Sequence, residues 1–183
     1  MTVREITQTG IMAALICVLS PLSIPLSTQV PISLATLAVM LAGGILHEKN
    51  GTIAVLVYIL LGMLGVPVFA GWSGGAQIVF GMTGGYIVGY LPLAHITGLF
   101  SSLSSQKSRA VRSAMIAAGA LLGTAVLYII GTAWFMFVTK MDLGASLAAC
   151  VIPFIPGDLL KTAFVCVLVP RLESAVWMRT AHS

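Results

Sequence analysis

An all-α membrane protein is expected here: a bundle of six transmembrane helices with its N- and C-termini cytoplasmic. Of 183 residues, 58% are hydrophobic and only 8% charged, against roughly 25% charged in an ordinary soluble domain. Ile6 to His47, Asn50 to Gln106 and Ser113 to Thr139 contain no Asp, Glu, Lys or Arg. Each run exceeds the ~20 residues needed to cross a hydrocarbon core about 30 Å thick. The basic residues, finally, gather in the polar breaks of one side.

Turn signals divide these runs. The first span covers about 6–26, with Pro21 and Pro25 kinking or ending it. Arg4 before the short apolar core Ile11 to Leu19 has the outline of a secretory signal, but no clean A-x-A site follows, so an uncleaved first span is expected. A second span, about 31–47, can open on Pro31, and the polar break His47 to Gly51 (HEKNG) separates it from a third at about 51–65. The remaining spans are about 79–101, 111–138 and 156–177. Together they make a single integral membrane domain over residues 1–183, with no length left for a soluble one.

Orientation follows from charge. With cytoplasmic ends, the inside holds Arg4, Lys49, Lys107, Arg109, Arg112, Arg171 and Arg179, while the outside keeps only Lys140. A multi-pass protein of the plasma membrane is expected. The net charge of +4 therefore needs no nucleic-acid partner. Lys107, Arg109 and Arg112 read as topology determinants, with anionic headgroups or a protein partner as their competing use.

Cys17, Cys150 and Cys166 lack metal-ligand spacing, so no metal site is expected. His47 sits at a loop edge, His95 in the fourth span as a packed or carbonyl-bonded histidine, and His182 in the tail. No cofactor and no catalytic residue are expected.

Small residues mark close approach. Gly81, Gly85 and Gly89 recur every fourth residue, as do Gly119 and Gly123, giving flat stripes for helix packing. Gly10 and Ala14, followed by Cys17 and Val18, give the first span a weaker small-residue face that packs within the bundle or meets an external partner. Between spans three and four, Gly65 to Gln77 holds Pro67 and four glycines without any charge, which argues against a continuous helix. Irregular backbone at membrane depth is tolerated only against protein or a water-filled cavity. The segment is either a lid over an outer cavity or an interfacial loop anchored by Trp72.

The sharpest anomaly is Asp158 with Lys161, with no other charged residue from Leu143 to Pro170. Pro156 suits the first turn of a helix, and Gly157 admits close backbone approach. A helix starting there puts Asp158 in its first turn, where the dipole favours an anion, with Lys161 on the same face three residues on. Intramembrane charges are functional candidates by default. Mutual neutralisation is the bland alternative. A carboxylate and an ammonium together suit a ligand with both donors and acceptors.

In length, in six spans, and in the motifs LLGMLGVPVFAGWSGG (Leu60 to Gly75), GMTGGYIVGY (Gly81 to Tyr90) and IPGDLLK (Ile155 to Lys161), the chain resembles the BioY family, the substrate-binding S-components of energy-coupling-factor (ECF) type biotin transporters. The resemblance implies a membrane subunit that binds biotin from outside and occludes it beneath the loop joining spans three and four. It assigns Asp158, Lys161 and Tyr86 to the ligand, with Gln77 and the lid glycines Gly71, Gly74 and Gly75 beside them. Trp72, Phe69 or Tyr86 suit the apolar ring and chain of biotin. Asp158 suits the ureido N–H groups; Lys161 suits the ureido oxygen or the valerate carboxylate.

The same resemblance implies two kinds of partner besides the lipid bilayer, an ECF transmembrane scaffold subunit and cytoplasmic ATPase subunits. Gly10, Ala13, Ala14 and Cys17 match the family's small-residue contact face loosely. No nucleotide-binding G-x-x-x-x-G-K-[ST] loop occurs in the chain, so energy must come from those partners. An S-component for another vitamin is the competing transport reading. An intramembrane enzyme using Asp158 as base and Lys161 or His95 as acid is disfavoured, because no second carboxylate or paired nucleophile appears.

Overall fold

The computed structural model describes residues 1–24 and 31–178. Pro25, the end of the first expected span, Arg179 and His182 lie outside these residues.

Helix α1, Val3–Leu19, opens on a reciprocal cap. The Glu5 N–H donates to Thr2 Oγ1 at 3.3 Å, and the Thr2 N–H donates to Glu5 Oε2 at 2.7 Å. The helix stops at Leu19, short of the expected 26. Pro21 cannot donate the next helical bond, and the chain passes into strand β1, Ser23–Ile24, paired antiparallel with β2, Ile32–Ser33. Pro31 therefore leads into this hairpin and does not open the second span.

Spans two and three form one element, α2, Ala35–Met63, broken at His47 with φ 62° and ψ −176°. Gly51 shows what the break does: a Cβ there would lie 2.7 Å from the Gly43 Cα and 2.8 Å from the Ala42 carbonyl oxygen. A straight helix would hold positions 43 and 51 about 12 Å apart. The limbs 35–46 and 48–63 thus fold back against each other. Thr36 and Tyr58, equally far in sequence from His47, consequently line two adjacent compartments.

After the glycine-rich segment comes a single turn, α3, Ala76–Val79, and then α4, Gly84–Leu103. The fourth span begins at Gly84, later than the expected 79, because residues 80–83 turn the chain. Trp134 Nε1 holds that turn by donating to the Gly81 carbonyl at 2.9 Å. Helix α5 is Arg109–Thr139. An unanticipated short helix follows, α6, Leu143–Cys150, capped by Asp142, whose Oδ2 accepts from the Ala145 N–H at 3.1 Å. The last helix, α7, is Ile155–Met178.

Glycines set the packing of α4 on α5. A Cβ on Gly85 would lie 2.9 Å from the Ile130 carbonyl oxygen, and one on Gly89 2.7 Å from Leu127 Cδ1. From the other side, a Cβ on Gly119 would lie 2.6 Å from the Phe100 Cβ, and one on Gly123 2.9 Å from Leu93 Cδ1. The two stripes pack within the bundle as expected, except that Gly81 lies in the turn before α4. Ser101 Oγ donates to the Gly44 carbonyl at 2.6 Å, and Ser102 Oγ to Glu48 Oε2 at 2.7 Å, which fixes the His47 turn beside the C-terminus of α4. In α7, Pro170 removes the N–H that the Cys166 carbonyl would accept. Ser113 Oγ of α5 replaces it at 3.1 Å.

These ties put Lys49, Lys107, Arg109 and Arg171 at one end of the bundle, and Lys140 at the other end of α5. Helices α2, α4 and α5 are each long and apolar enough to cross a membrane, and α6 with α7, bent by 48°, makes a fourth candidate.

Candidate functional site

Asp158 lies in the first turn of α7 and Lys161 one turn on, both buried. The Lys161 ammonium donates to Asp158 Oδ1 at 2.9 Å, to the Ser33 carbonyl at 2.7 Å and to Thr36 Oγ1 at 2.8 Å. All three of its N–H groups are thereby used. Thr36 Oγ1 in turn donates to Asp158 Oδ1 at 3.1 Å, while Tyr128 of α5 donates to Asp158 Oδ2 at 2.6 Å. A carboxylate offers about four acceptor positions, and three are filled. Asp158 therefore keeps room for one more donor, whereas Lys161 must exchange a partner to reach anything else. Gly157 has open space around it, not the close backbone approach expected of it.

This network lines the smaller of two adjacent compartments, of about 180 Å³ and about 40 Å³, that share a wall. Pro31, Ser33, Tyr86 and Tyr90 line both. The smaller compartment adds Thr36, Leu127, Tyr128 and Phe154 to the charged pair. The larger adds Ser20, Tyr58, Phe69, Ala70, Ser73, Ile78, Thr83 and Ile87. Together they make a mostly apolar space with charge at one end, a form suited to a small ligand with a polar head.

Tyr86 stands between the compartments. Its hydroxyl donates to the Cys150 carbonyl at 3.1 Å and lies 3.3 Å from Thr132 Oγ1, so it is committed to α5 and α6 while its ring faces the cavity. Gly131 makes room for that ring: a Cβ there would lie 2.5 Å from its edge. Tyr58 shares a 2.6 Å hydrogen bond with Ser20 Oγ and stacks edge-on to Phe69 at 5.6 Å between centroids.

The glycine-rich segment covers the larger compartment. Its backbone is closed on itself by the Phe69 N–H donating to the Ser73 carbonyl at 2.9 Å. It is pinned to α1's end by the Gly71 N–H donating to the Pro21 carbonyl at 3.1 Å, and to α2 by the Gly75 N–H donating to the Gly62 carbonyl at 2.7 Å. Positive φ at Gly65, Gly71 and Gly75 permits these turns. Phe69 points inward at 2% exposure, its ring seated on Gly62.

Of the residues expected to meet a ligand, the structure brings Asp158, Lys161, Tyr86 and Phe69 to the cavity. It does not bring Gln77 or Trp72. The Gln77 amide donates to the Gly74 carbonyl at 2.9 Å, bracing the loop from outside, and Trp72 is 62% exposed with φ 59°. Gly71, Gly74 and Gly75 shape the cover without lining the cavity. On α1, Gly10 and Ala14 are exposed and Cys17 is partly so, but Ala13 turns inward at 3% exposure with Met12 and Ile16. Ala13 is core, a consequence of its helical phase. His95 is exposed on α4, away from the cavity and not packed as expected.

Sequence reasoning missed Ser20, Ser33, Thr36, Tyr58, Tyr90 and Tyr128. Tyr90 was findable, since it follows Tyr86 by one helical turn on the same face. The hydroxyls carried no such signal. Among the described residues, no three His, Cys, Asp or Glu are placed to hold a metal.

Residues 1–177 match the model of the BioY family. The chain is 35% identical over 170 residues to the biotin transporter BioY of Thermotoga maritima, covering 93% of this chain and 96% of that protein. It is 40% identical to the biotin transporter BioY of Rhodobacter capsulatus over 169 residues, 86% of this chain and 87% of that one. The fold is similar to the 2.1 Å crystal structure of the S-component for biotin from an ECF-type ABC transporter, with a TM-score of 0.83, 32% identity and 95% of each chain covered.

Proposed function

Because the chain belongs to the BioY family, we propose that it is the membrane-embedded, biotin-binding subunit of a biotin uptake system, energised by partner ECF subunits. It is a transport protein, not an enzyme. The observation that carries this reading is the charged network of Asp158, Lys161, Thr36 and Tyr128 lining the smaller of two adjacent compartments, the larger of which is covered by the 65–75 loop. Asp158 retains capacity for one more donor, which suits a ureido N–H of biotin. Lys161, its donors saturated by Ser33, Thr36 and Asp158, acts first by holding the carboxylate oriented. The apolar remainder of biotin then runs along Tyr86 and Tyr90 toward Phe69 and Tyr58.

The bundle crosses the plasma membrane six times in this reading, as α1, the two limbs of α2, α4, α5 and α7, within a single membrane domain. Folding at His47 supports two crossings from α2. The gathering of Lys49, Lys107, Arg109 and Arg171 at one end supports cytoplasmic termini by the positive-inside rule. The exposed Gly10 and Ala14 of α1 then form the contact face for the ECF scaffold subunit, whose ATPase partners supply the energy. No cofactor takes part.

Mass spectrometry of small molecules released from the purified protein tests the ligand directly. Biotin should be the species recovered, and wild-type protein should retain added labelled biotin through gel filtration. Recovery of a different vitamin, with no biotin retention by a folded sample, would overturn the assignment.

A further inference from the structure

All four tyrosines of the chain line one or other of the two compartments. Three of them have committed hydroxyls: Tyr128 donates to Asp158 Oδ2, Tyr86 donates to the Cys150 carbonyl, and Tyr58 shares its bond with Ser20 Oγ. Tyr90 lines both compartments, and among the described residues its hydroxyl has no hydrogen-bond partner. A buried tyrosine ordinarily finds one, because taking a hydroxyl out of water without a partner is costly. A phenylalanine would fill the same space without that cost.

The ring is nevertheless held in place. Tyr90 follows Tyr86 by one turn of α4, and the close seating of Gly85 on Ile130 and of Gly89 on Leu127 fixes the rotation of that helix against α5. The Tyr90 ring packs beside that of Tyr58, 6.5 Å between centroids and tilted by 44°. In the smaller compartment, which Tyr90 shares with the charged pair, the other side-chain donors are spent. Lys161 uses its three N–H groups on Asp158, Ser33 and Thr36. Thr36 donates to Asp158, and Ser33 Oγ donates to the Ser20 carbonyl at 2.6 Å. With Tyr86 and Tyr128 committed as well, Tyr90 carries the side-chain hydrogen left over there among the described residues.

Asp158, in the same compartment, has room to accept from one more donor. One spare donor beside one spare acceptor matches a flat head group in which an N–H adjoins a C=O. We infer that Tyr90 is a specificity-determining residue, its hydroxyl donating to the carbonyl oxygen of the ligand's cyclic urea while Asp158 accepts from the neighbouring N–H. The ureido oxygen thereby goes to Tyr90, Lys161 being saturated, an assignment that rests on the biotin reading.

Calorimetric titration of biotin and of 2-thiobiotin into purified wild type and Tyr90→Phe tests this. In 2-thiobiotin a sulfur, a much weaker acceptor, replaces the ureido oxygen, while both N–H groups remain. Tyr90→Phe should weaken biotin by roughly tenfold, as expected when a polar group loses its partner, and 2-thiobiotin by less than about twofold. Wild type should prefer biotin to 2-thiobiotin, and the variant should largely lose that preference. The wild-type comparison stands on its own should Tyr90→Phe fail to fold. Equal binding of the two ligands by wild type would overturn the inference, as would unchanged biotin affinity in folded Tyr90→Phe. Equal losses for the two ligands in the variant would overturn it too, since they would reduce Tyr90 to a packing residue. In each of these outcomes wild type still binds biotin and the transport reading survives. No biotin binding by folded wild type would overturn that reading and this inference together.

Discussion

Tyr128 on α5 donates its phenolic hydrogen to Asp158 Oδ2 on α7 at 2.6 Å, while Lys161 and Thr36 hold Oδ1. The carboxylate is thus gripped from both sides by two further elements of the bundle. Burying a charge is costly unless it is fully hydrogen-bonded, and here the bonds also set the direction in which Asp158 can accept from the cavity.

Tyr128→Phe should therefore weaken biotin binding without abolishing it. One hydrogen bond to a charged group contributes about 1.5–3 kcal/mol, so a loss of roughly tenfold to a hundredfold is expected. Calorimetric titration of the variant, with its helical content verified by circular dichroism, provides the check. Unchanged affinity would show that the remaining bonds orient Asp158 unaided.

Gly62→Ala should loosen the cover over the cavity. A Cβ at Gly62 would overlap the Cζ and Cε1 atoms of the Phe69 ring and lie 2.7 Å from Cε2, so the ring must move. Overpacking of this kind costs about 1–3 kcal/mol, and it should fall on the closed state. Dissociation of labelled biotin, followed by chase with unlabelled ligand, should be faster in the variant by roughly tenfold. A dissociation rate equal to wild type would mean that Phe69 is not part of the closure.

The His47 hinge makes a prediction about stability. Its φ of 62° with ψ of −176° lies in a region occupied essentially only by glycine, at a cost of order 1–3 kcal/mol. His47→Gly should be tolerated, with a melting temperature at or above wild type, since relief of strain outweighs the entropy cost of glycine, about 0.5–1 kcal/mol. His47→Val should lower it, because a β-branched residue fits positive φ worst. Equal destabilisation by both would place the role of His47 in its side chain and not its backbone.

Topology is open to cysteine labelling. With the native cysteines replaced, Ser105→Cys in the turn between α4 and α5 should react with a membrane-impermeant maleimide only after permeabilisation. Lys140→Cys, at the far end of α5, should react in intact cells. The reverse pattern would invert the bundle and contradict cytoplasmic termini.

How much of this could be read from residues alone depends on whether a feature is local. Asp158 and Lys161 stand out because charge is rare in an apolar chain and three residues make one helical turn. Their 2.9 Å pairing needs no tertiary knowledge. Thr36 and Tyr128 do not stand out. They are neutral residues in apolar helices, and they meet Asp158 only because of how α2, α5 and α7 are rotated against one another. The HEKNG break was visible as polarity, but the close fold of α2 depends on Gly43 and Gly51 touching across it. Ala13 shows the limit of small-residue patterns, since spacing alone does not say which face of α1 is buried. The β1–β2 hairpin, which delivers the Ser33 carbonyl to Lys161, lay hidden in an apolar run long enough to read as helix.

Titration of biotin into purified wild type and into Asp158→Asn is the most direct trial of the central claim. Wild type should bind one biotin tightly, with affinity below micromolar. Asp158→Asn should lose about 2–5 kcal/mol, the cost of unpairing a buried charged contact, while keeping its helical content. Equal, tight binding by both proteins would contradict the account by removing Asp158 from the ligand, and absence of binding to folded wild type would contradict it outright.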